Sequence, residues 1–350
     1  MRRFILSIDG GGIRGIIPAV FLSELKKTLE KNGVTEPFHQ IFDLIAGTST
    51  GGLISLALTV PIYQKDGGEL YDKAGGIAAE QLPVLYKMLA NKVFPGNKNR
   101  VRKTIRQVFT SKYSSIPFHN VLRGLFKNCT VKEALTNLLL TTFNMETMQP
   151  VFIKKRPLAA GGDTDPNFYM ADAALSTAAV PTYFPPGYVN SIGDITNSYC
   201  LIDGGIFCIN PAMSALTEAR KIFPRSEYII LSLGTGQQKE EYKTEKIRNW
   251  GFFNWIAPWL GLPLITAIGE GQRISTNHML NKLPQVKLIR SDIYLDKNAG
   301  IDDGGAENLE YLTAKGIEMW NANKSEIDTL IKNIVNNQQL RGDNKVRKIV

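Results

Sequence analysis

Gly47-Thr48-Ser49-Thr50-Gly51 is a G-x-S-x-G pattern, with the apolar run "FDLIA" before it and "LISLALTV" after it. A nucleophilic serine on a sharp strand-to-helix turn needs neighbours without bulky side chains, and the amide dipoles of the following helix favour charge developing on its oxygen. Such a serine needs a base, and the usual one is histidine held by a carboxylate. The chain has three histidines. His39 and His119 lie ahead of any position expected of the base in the order serine, acid, histidine. His278 sits in the polar, helical stretch "STNHML" with no glycine-marked strand end beside it. We read all three as surface or internally satisfied side chains. Asp203 in "LIDGG" is the candidate left, at the end of an apolar run with Gly204 and Gly205 clearing space beside it. A carboxylate can take a serine proton directly when partial burial raises its pKa; standing alone, the same residues also read as a plain turn.

A second glycine cluster, "LSIDGGGIRG", places Gly10, Gly12 and Gly15 in the G-x-G-x-x-G spacing of a dinucleotide-binding loop. That fingerprint calls for an acidic residue at the end of the next strand, and here the next strand ends in Ser49. The alternative is that the amides of Gly10, Gly11 and Gly12 stabilise the oxyanion of an attacked ester, with Arg14 adding positive field or holding the loop. The oxyanion reading accounts for both motifs. A nucleotide-binding regulator or an oxidoreductase is the competing one.

These residues require strands that deliver them to one place. "FILSI" (4–8) reads as a buried strand, and Ile17, Val20, Phe21, Leu25 and Leu29 recur at helical spacing up to Asn32-Gly33. "FDLIAG" and "LISLALTV" repeat the strand, loop, helix plan. Alternation at this interval predicts an α/β fold with a mostly parallel sheet covered on both faces. "TVKEALTNLLLTTFN" (130–144) reads as a helix passing into a strand, and "QPVFIKKR" (149–156), "YCLIDGGIF" (199–207) and "EYIILSLGTG" (227–236) as further strands. Open sheets bind ligands at the carboxyl ends of their strands, so residues 9–15, 47–52, 203–205 and 234–236 are expected to converge.

At 43% hydrophobic and 21% charged the chain is an ordinary globular one, and disordered or fibrous classes are excluded. The apolar run before Asp9 is too short for a signal peptide, which predicts a cytoplasmic protein. Cys129, Cys200 and Cys208 include no C-x-x-C pair, so buried free thiols are expected and no metal site. The net charge of +9 favours an anionic partner, and much of the excess lies in 91–107 and 338–350. Neither segment resembles a nucleic-acid-binding motif, so no nucleic acid polymer is expected. Residues 249–269 have no formal charge and hold three of the four tryptophans. Gly251, Pro258, Gly261 and Pro263 would break a membrane-spanning helix repeatedly. A membrane-docking surface and a buried hairpin over the site both remain open for this stretch.

Taken together, "DGGGIRG" (9–15), "GTSTG" (47–51), "DGG" (203–205), "STAAVPTYFPP" (176–186) and "LSLGTG" (231–236) closely resemble the blocks of the patatin-like phospholipase family. The resemblance continues through "KYSSIPFHNVLRGLF" (112–126) and "IDDGGAENLEYL" (301–312), up to about residue 320. It implies a patatin-type three-layer fold over 1–320, with 321–350 as a basic helical tail. It also implies a Ser49–Asp203 dyad without histidine, and hydrolysis of acyl esters in membrane phospholipids without cofactor or metal. Peripheral contact with the membrane is expected of an enzyme with such a substrate. The chain further resembles bacterial antiphage patatin-like effectors, which implies a cyclic dinucleotide as a possible activator.

Overall fold

The computed structural model describes residues 1–93, 111–157, 165–238, 244–255, 263–297 and 299–346. The apolar run after Arg2 forms a central strand, β1 (Arg2–Ile8), paired in parallel with β2 (Leu44–Thr48) on one side and β7 (Glu227–Leu233) on the other. β3 (Asn137–Asn144) continues the parallel order beyond β2, and β9 (Val286–Ser291) continues it beyond β7. Three antiparallel strands complete the sheet: β4 (Gln149–Lys155), β5 (Gly187–Ser191) and β6 (Asp194–Asp203). The order is β5-β6-β3-β2-β1-β7-β9, with β4 also on β3. A separate parallel pair joins β8 (Gln237–Gln238) to β10 (Tyr294–Leu295).

Alternate side chains of the parallel strands feed two different cores, the period-two consequence of burying both faces. Ile5, Leu44, Ala46, Leu139 and Ile230 pack with Ala212, Ala215 and Leu216 of helix Ala212–Ile222. Leu6, Ile8, Ile45, Leu140 and Leu231 join the larger cluster on the opposite face. Numbering helices of eight residues or more, that larger face carries α1 (Ile16–Lys31), α2 (Thr50–Thr59), α3 (Leu82–Val93), α4 (Ser115–Phe126) and α5 (Met170–Thr177). The Ala212–Ile222 helix is α6, followed by α7 (Pro263–Lys282), α8 (Ala306–Ala322) and α9 (Lys324–Val346). α8 lies along α1, with Trp320 edge-on to Phe21 at 5.3 Å between ring centroids. Ile327, Leu330, Ile331 and Ile334 of α9 are buried in the same core.

The stretch read as a helix passing into β3 is a single 3-10 turn, Val131–Glu133. A reciprocal capping box between Thr130 and Glu133 closes that turn, and the chain extends into the sheet at Asn137. All three cysteines are free, with Cys200 and Cys208 buried and Cys129 only partly so. Among the described residues no helix is long and apolar enough to cross a membrane. The basic segment 91–107 falls, from 94 on, outside the described residues.

One topological feature decides the geometry of the site. β4 occupies one edge of β3, so β2 and β6 must share the other. β2 runs parallel and ends with Thr48 opposite Thr141, while β6 runs antiparallel and ends with Asp203 opposite Thr142. The two strands therefore point at each other along successive rungs, and the residue after Thr48 meets the last residue of β6.

Candidate active site

Ser49 comes directly after β2 and caps α2 with φ 54° and ψ −121°, a conformation that costs a non-glycine residue about 1–3 kcal/mol. The turn is tight enough that a Cβ on Gly47 would strike the backbone of Gly51 and Gly52, and one on Gly51 would strike the Ile8 carbonyl. Gly47→Ala or Gly51→Ala is expected to cost about 3 kcal/mol of stability, because backbone rather than a mobile side chain must yield. The shift in urea midpoint at constant m-value measures this. The Ser49 amide donates to the Thr177 hydroxyl oxygen at 3.0 Å, and that hydroxyl donates to the Thr141 carbonyl at 2.8 Å, so α5 braces the elbow from the side.

The junction of β2 and β6 brings the Ser49 side chain beside the Asp203 carboxyl. Asp203 is 4% exposed, its amide donates to the Ala179 carbonyl at 3.0 Å, and its Oδ1 accepts from the Gly205 amide at 2.7 Å. Burial pushes its carboxyl up to about 7, against the opposing pull of the neighbouring Ser49 hydroxyl and the Gly205 amide. Gly204 lies against Thr141, with no room there for a side chain.

The glycine loop is held on several sides. The Gly10 amide donates to the Ile209 carbonyl at 3.1 Å, and the Gly10 carbonyl accepts from the Thr235 hydroxyl at 2.7 Å. The Ile13 amide donates to the Ile301 carbonyl at 2.8 Å. Gly12 has φ 58°, and a Cβ there would run into that same carbonyl. Gly10 is thereby committed, and the amides of Gly11 and Gly12 are the loop donors without a partner among the described residues. Arg14 donates to the carbonyls of Gly236, at 3.4 Å, and Gly11, at 3.5 Å, which is a loop-holding geometry. Beneath the loop, Arg290 forks onto Asp9 at 3.0 and 2.6 Å and reaches Asp292 at 2.7 Å. Burial raises the Asp9 carboxyl to about 6 despite the Arg290 guanidinium.

An apolar pocket opens over Ser49 and Gly12. Its walls are apolar, with Leu53, Leu89, Phe118 and Phe184 prominent and Asp302 the one charged lining residue among the described residues. The apolar lining suits a hydrocarbon chain entering beside the serine.

The histidines stay apart from this arrangement. His39 is buried, His119 Nε2 is 2.7 Å from Asp172 Oδ1, and His278 is exposed on α7. Of residues 249–269, 256–262 lie outside the described residues. The flanking Phe253 is 78% exposed, and Leu264, Ile265 and Ile268 are exposed on α7, so the described part is not a buried hairpin. Thr177, Thr235 and Ile209, which position Ser49 and Gly10, carry no chemical signature in sequence. Thr177 and Thr235 fall within recognisable blocks, but only tertiary contacts assign them their tasks.

Comparison with known proteins places residues 6–216 in agreement with the family model of patatin-like phospholipase. Patatin-like protein 2 of Arabidopsis thaliana is 31% identical, covering 90% of this chain and 82% of its own length. Patatin-like protein 2 of Oryza sativa subsp. indica is 30% identical, with 93% and 85% covered. Patatin group D-2 of Solanum tuberosum is 31% identical over 72% of this chain and 66% of its own. The solved structure of VipD from Legionella pneumophila aligns at TM-score 0.41 and 14% identity, over 93% of this chain and 67% of that one.

Proposed function

Because the chain belongs to the patatin-like phospholipase family, we propose that it hydrolyses acyl esters of membrane phospholipids through an acyl-enzyme, with Ser49 as nucleophile and Asp203 as base. The observation that carries this reading is the meeting of β2 and β6 on one edge of β3, which sets Ser49 beside a buried carboxyl whose pKa lies near neutrality. Ser49 attacks the acyl carbonyl as Asp203 takes its proton, and the amides of Gly11 and Gly12 hold the oxyanion, while Gly10 and Arg14 keep their loop in place. Asp203 returns the proton to the departing alcohol or lysolipid. Water then enters, gives its proton to Asp203 and attacks the acyl-Ser49 ester; as the ester bond breaks, Asp203 passes the proton to the Ser49 oxygen and the fatty acid leaves. No metal or cofactor takes part in this cycle. The exposed apolar residues Phe253, Leu264, Ile265 and Ile268 suit peripheral contact with the bilayer that holds the substrate.

The test is fatty-acid release from mixed phosphatidylcholine and phosphatidylglycerol vesicles by the wild type and Ser49→Ala, with and without cyclic dinucleotides. Release by the wild type alone supports the hydrolase, and release only with a cyclic dinucleotide makes it a switched effector of the antiphage kind. Equal release by Ser49→Ala refutes the mechanism. His119→Asn and His278→Ala should each change the rate less than about threefold, since neither side chain takes part in the proton transfer. A loss comparable to that of Ser49→Ala would restore a histidine base.

A further inference from the structure

Two blocks of the sequence, "KYSS" (112–115) and "IDDGG" (301–305), have no part in the mechanism above, yet they meet at the pocket. Asp302, a lining residue, accepts through Oδ2 from Lys112 Nζ at 2.5 Å and from the Tyr113 hydroxyl at 2.8 Å. Both the lysine and the aspartate are mostly buried, at 16% and 17% side-chain exposure, so this ion pair is shielded from water. Lys112 and Tyr113 are also laced to the opposite wall: the Lys112 amide donates to the Thr182 carbonyl at 3.0 Å and the Tyr113 amide to the Tyr183 carbonyl at 2.8 Å. Lys112 Nζ also lies 5.2 Å from the Tyr183 ring centre, and the Tyr113 ring is 5.7 Å from that of Phe184. On its other side, Asp302 is preceded by Ile301, whose carbonyl receives the Ile13 amide and abuts Gly12.

From this we infer that Asp302, clasped by Lys112 and Tyr113, is a positioning and specificity residue: it ties the Tyr183–Phe184 wall to the glycine loop and so sets the width of the acyl pocket. The inference rests on the acyl-hydrolase reading for the identity of the chain that fills the pocket. A side chain tied at one oxygen to two donors resists displacement by an entering chain, whereas an untied turn would let the wall and the loop separate. Opening the latch therefore does two things. It relaxes discrimination among acyl chains, and it loosens the Gly12 donor without touching Ser49 or Asp203.

The experiment reads the pocket without requiring hydrolysis. In the Ser49→Ala background, bound cis-parinaric acid is displaced by saturated fatty acids from octanoic to stearic, and Asp302→Asn, Lys112→Met and Lys112→Arg are compared with the parent. The expected result is that Asp302→Asn and Lys112→Met flatten the preference between shortest and longest acids by about fivefold or more, while Lys112→Arg preserves it. With Ser49 present, Asp302→Asn should lower kcat for a short ester by about tenfold with little change in KM. Identical displacement profiles in all variants would overturn the inference. A uniform change at every chain length would also overturn it, because it would reduce Asp302 to an electrostatic effect on the fatty-acid carboxylate. A flattened profile in a protein that hydrolyses no lipid ester would leave the latch standing and refute the hydrolase reading.

Discussion

Ser49→Ala is expected to lower ester hydrolysis by about four orders of magnitude or more, the loss found when a nucleophile acting as one unit with its base is removed. The fold should survive, because the groups bracing the elbow are backbone and threonine contacts: the Ser49 amide on Thr177 and the close approach of Gly51 to Ile8. A companion substitution separates chemistry from strain. Ser49→Gly lacks the hydroxyl equally, yet at φ 54° and ψ −121° glycine is unstrained where alanine is not. The glycine variant should therefore be more stable than the alanine variant by about 1–2 kcal/mol, in the same direction as the ordinary preference for glycine over alanine at a helix N-cap. Chemical unfolding of the two inactive variants measures the difference. Equal stabilities would mean that the elbow stores no backbone strain.

Asp203→Asn should cost about three to four orders of magnitude in rate, since the amide keeps the shape of the side chain but cannot take the serine proton. In the wild type, hydrolysis should rise about tenfold per pH unit below the Asp203 pKa and level off above about 7, where the carboxylate is free to accept. Stability should run the other way. The folded chain retains this proton up to about pH 7, whereas the unfolded chain releases it near the ordinary 3.8. The stabilisation it contributes is thus complete below pH 4 and is lost as pH rises through 7. Asp203→Asn removes that dependence, so the variant should gain on the wild type as pH climbs from 4 to 7. Thermal midpoints across this range, set beside the pH–rate profile, test both signs. A rate that does not fall below pH 7 would remove Asp203 from the role of base.

Chemistry and structure are legible in the residues to different degrees. The elbow was legible because only small residues tolerate the close backbone approach at Gly47 and Gly51, and that constraint is written locally. The parallel strands other than β9 were legible because burial on both faces leaves continuous apolar runs such as Phe4–Ile8 and Tyr228–Leu233. β5, with its alternating burial, and β9, interrupted by Lys287 and Arg290, carry no such run and were not apparent. The helix expected at the start of 130–144 misled because a capping box reads alike whether one turn or four come after it. Gly10 shows the same limit within the site: its place in the loop is local, but the donation of its amide to Ile209 depends on a distant segment.

By itself, then, the amino-acid sequence determined the tight turn carrying Ser49, the absence of a suitably placed histidine, the glycine loop and the alternating α/β plan. Each of these depends on neighbours within a few positions, where backbone sterics and side-chain periodicity act directly. The meeting of Ser49 with Asp203 was decided only in three dimensions, because β2 and β6 share one edge of β3 and end on the successive rungs Thr141 and Thr142. The raised pKa of Asp203, the bracing by Thr177 and the clasp of Lys112 on Asp302 likewise arise from burial and from contacts between segments far apart in the chain. Desolvation and long-range hydrogen bonding have no local signature, so residues of these types announce their chemistry in sequence and acquire their strength in the fold.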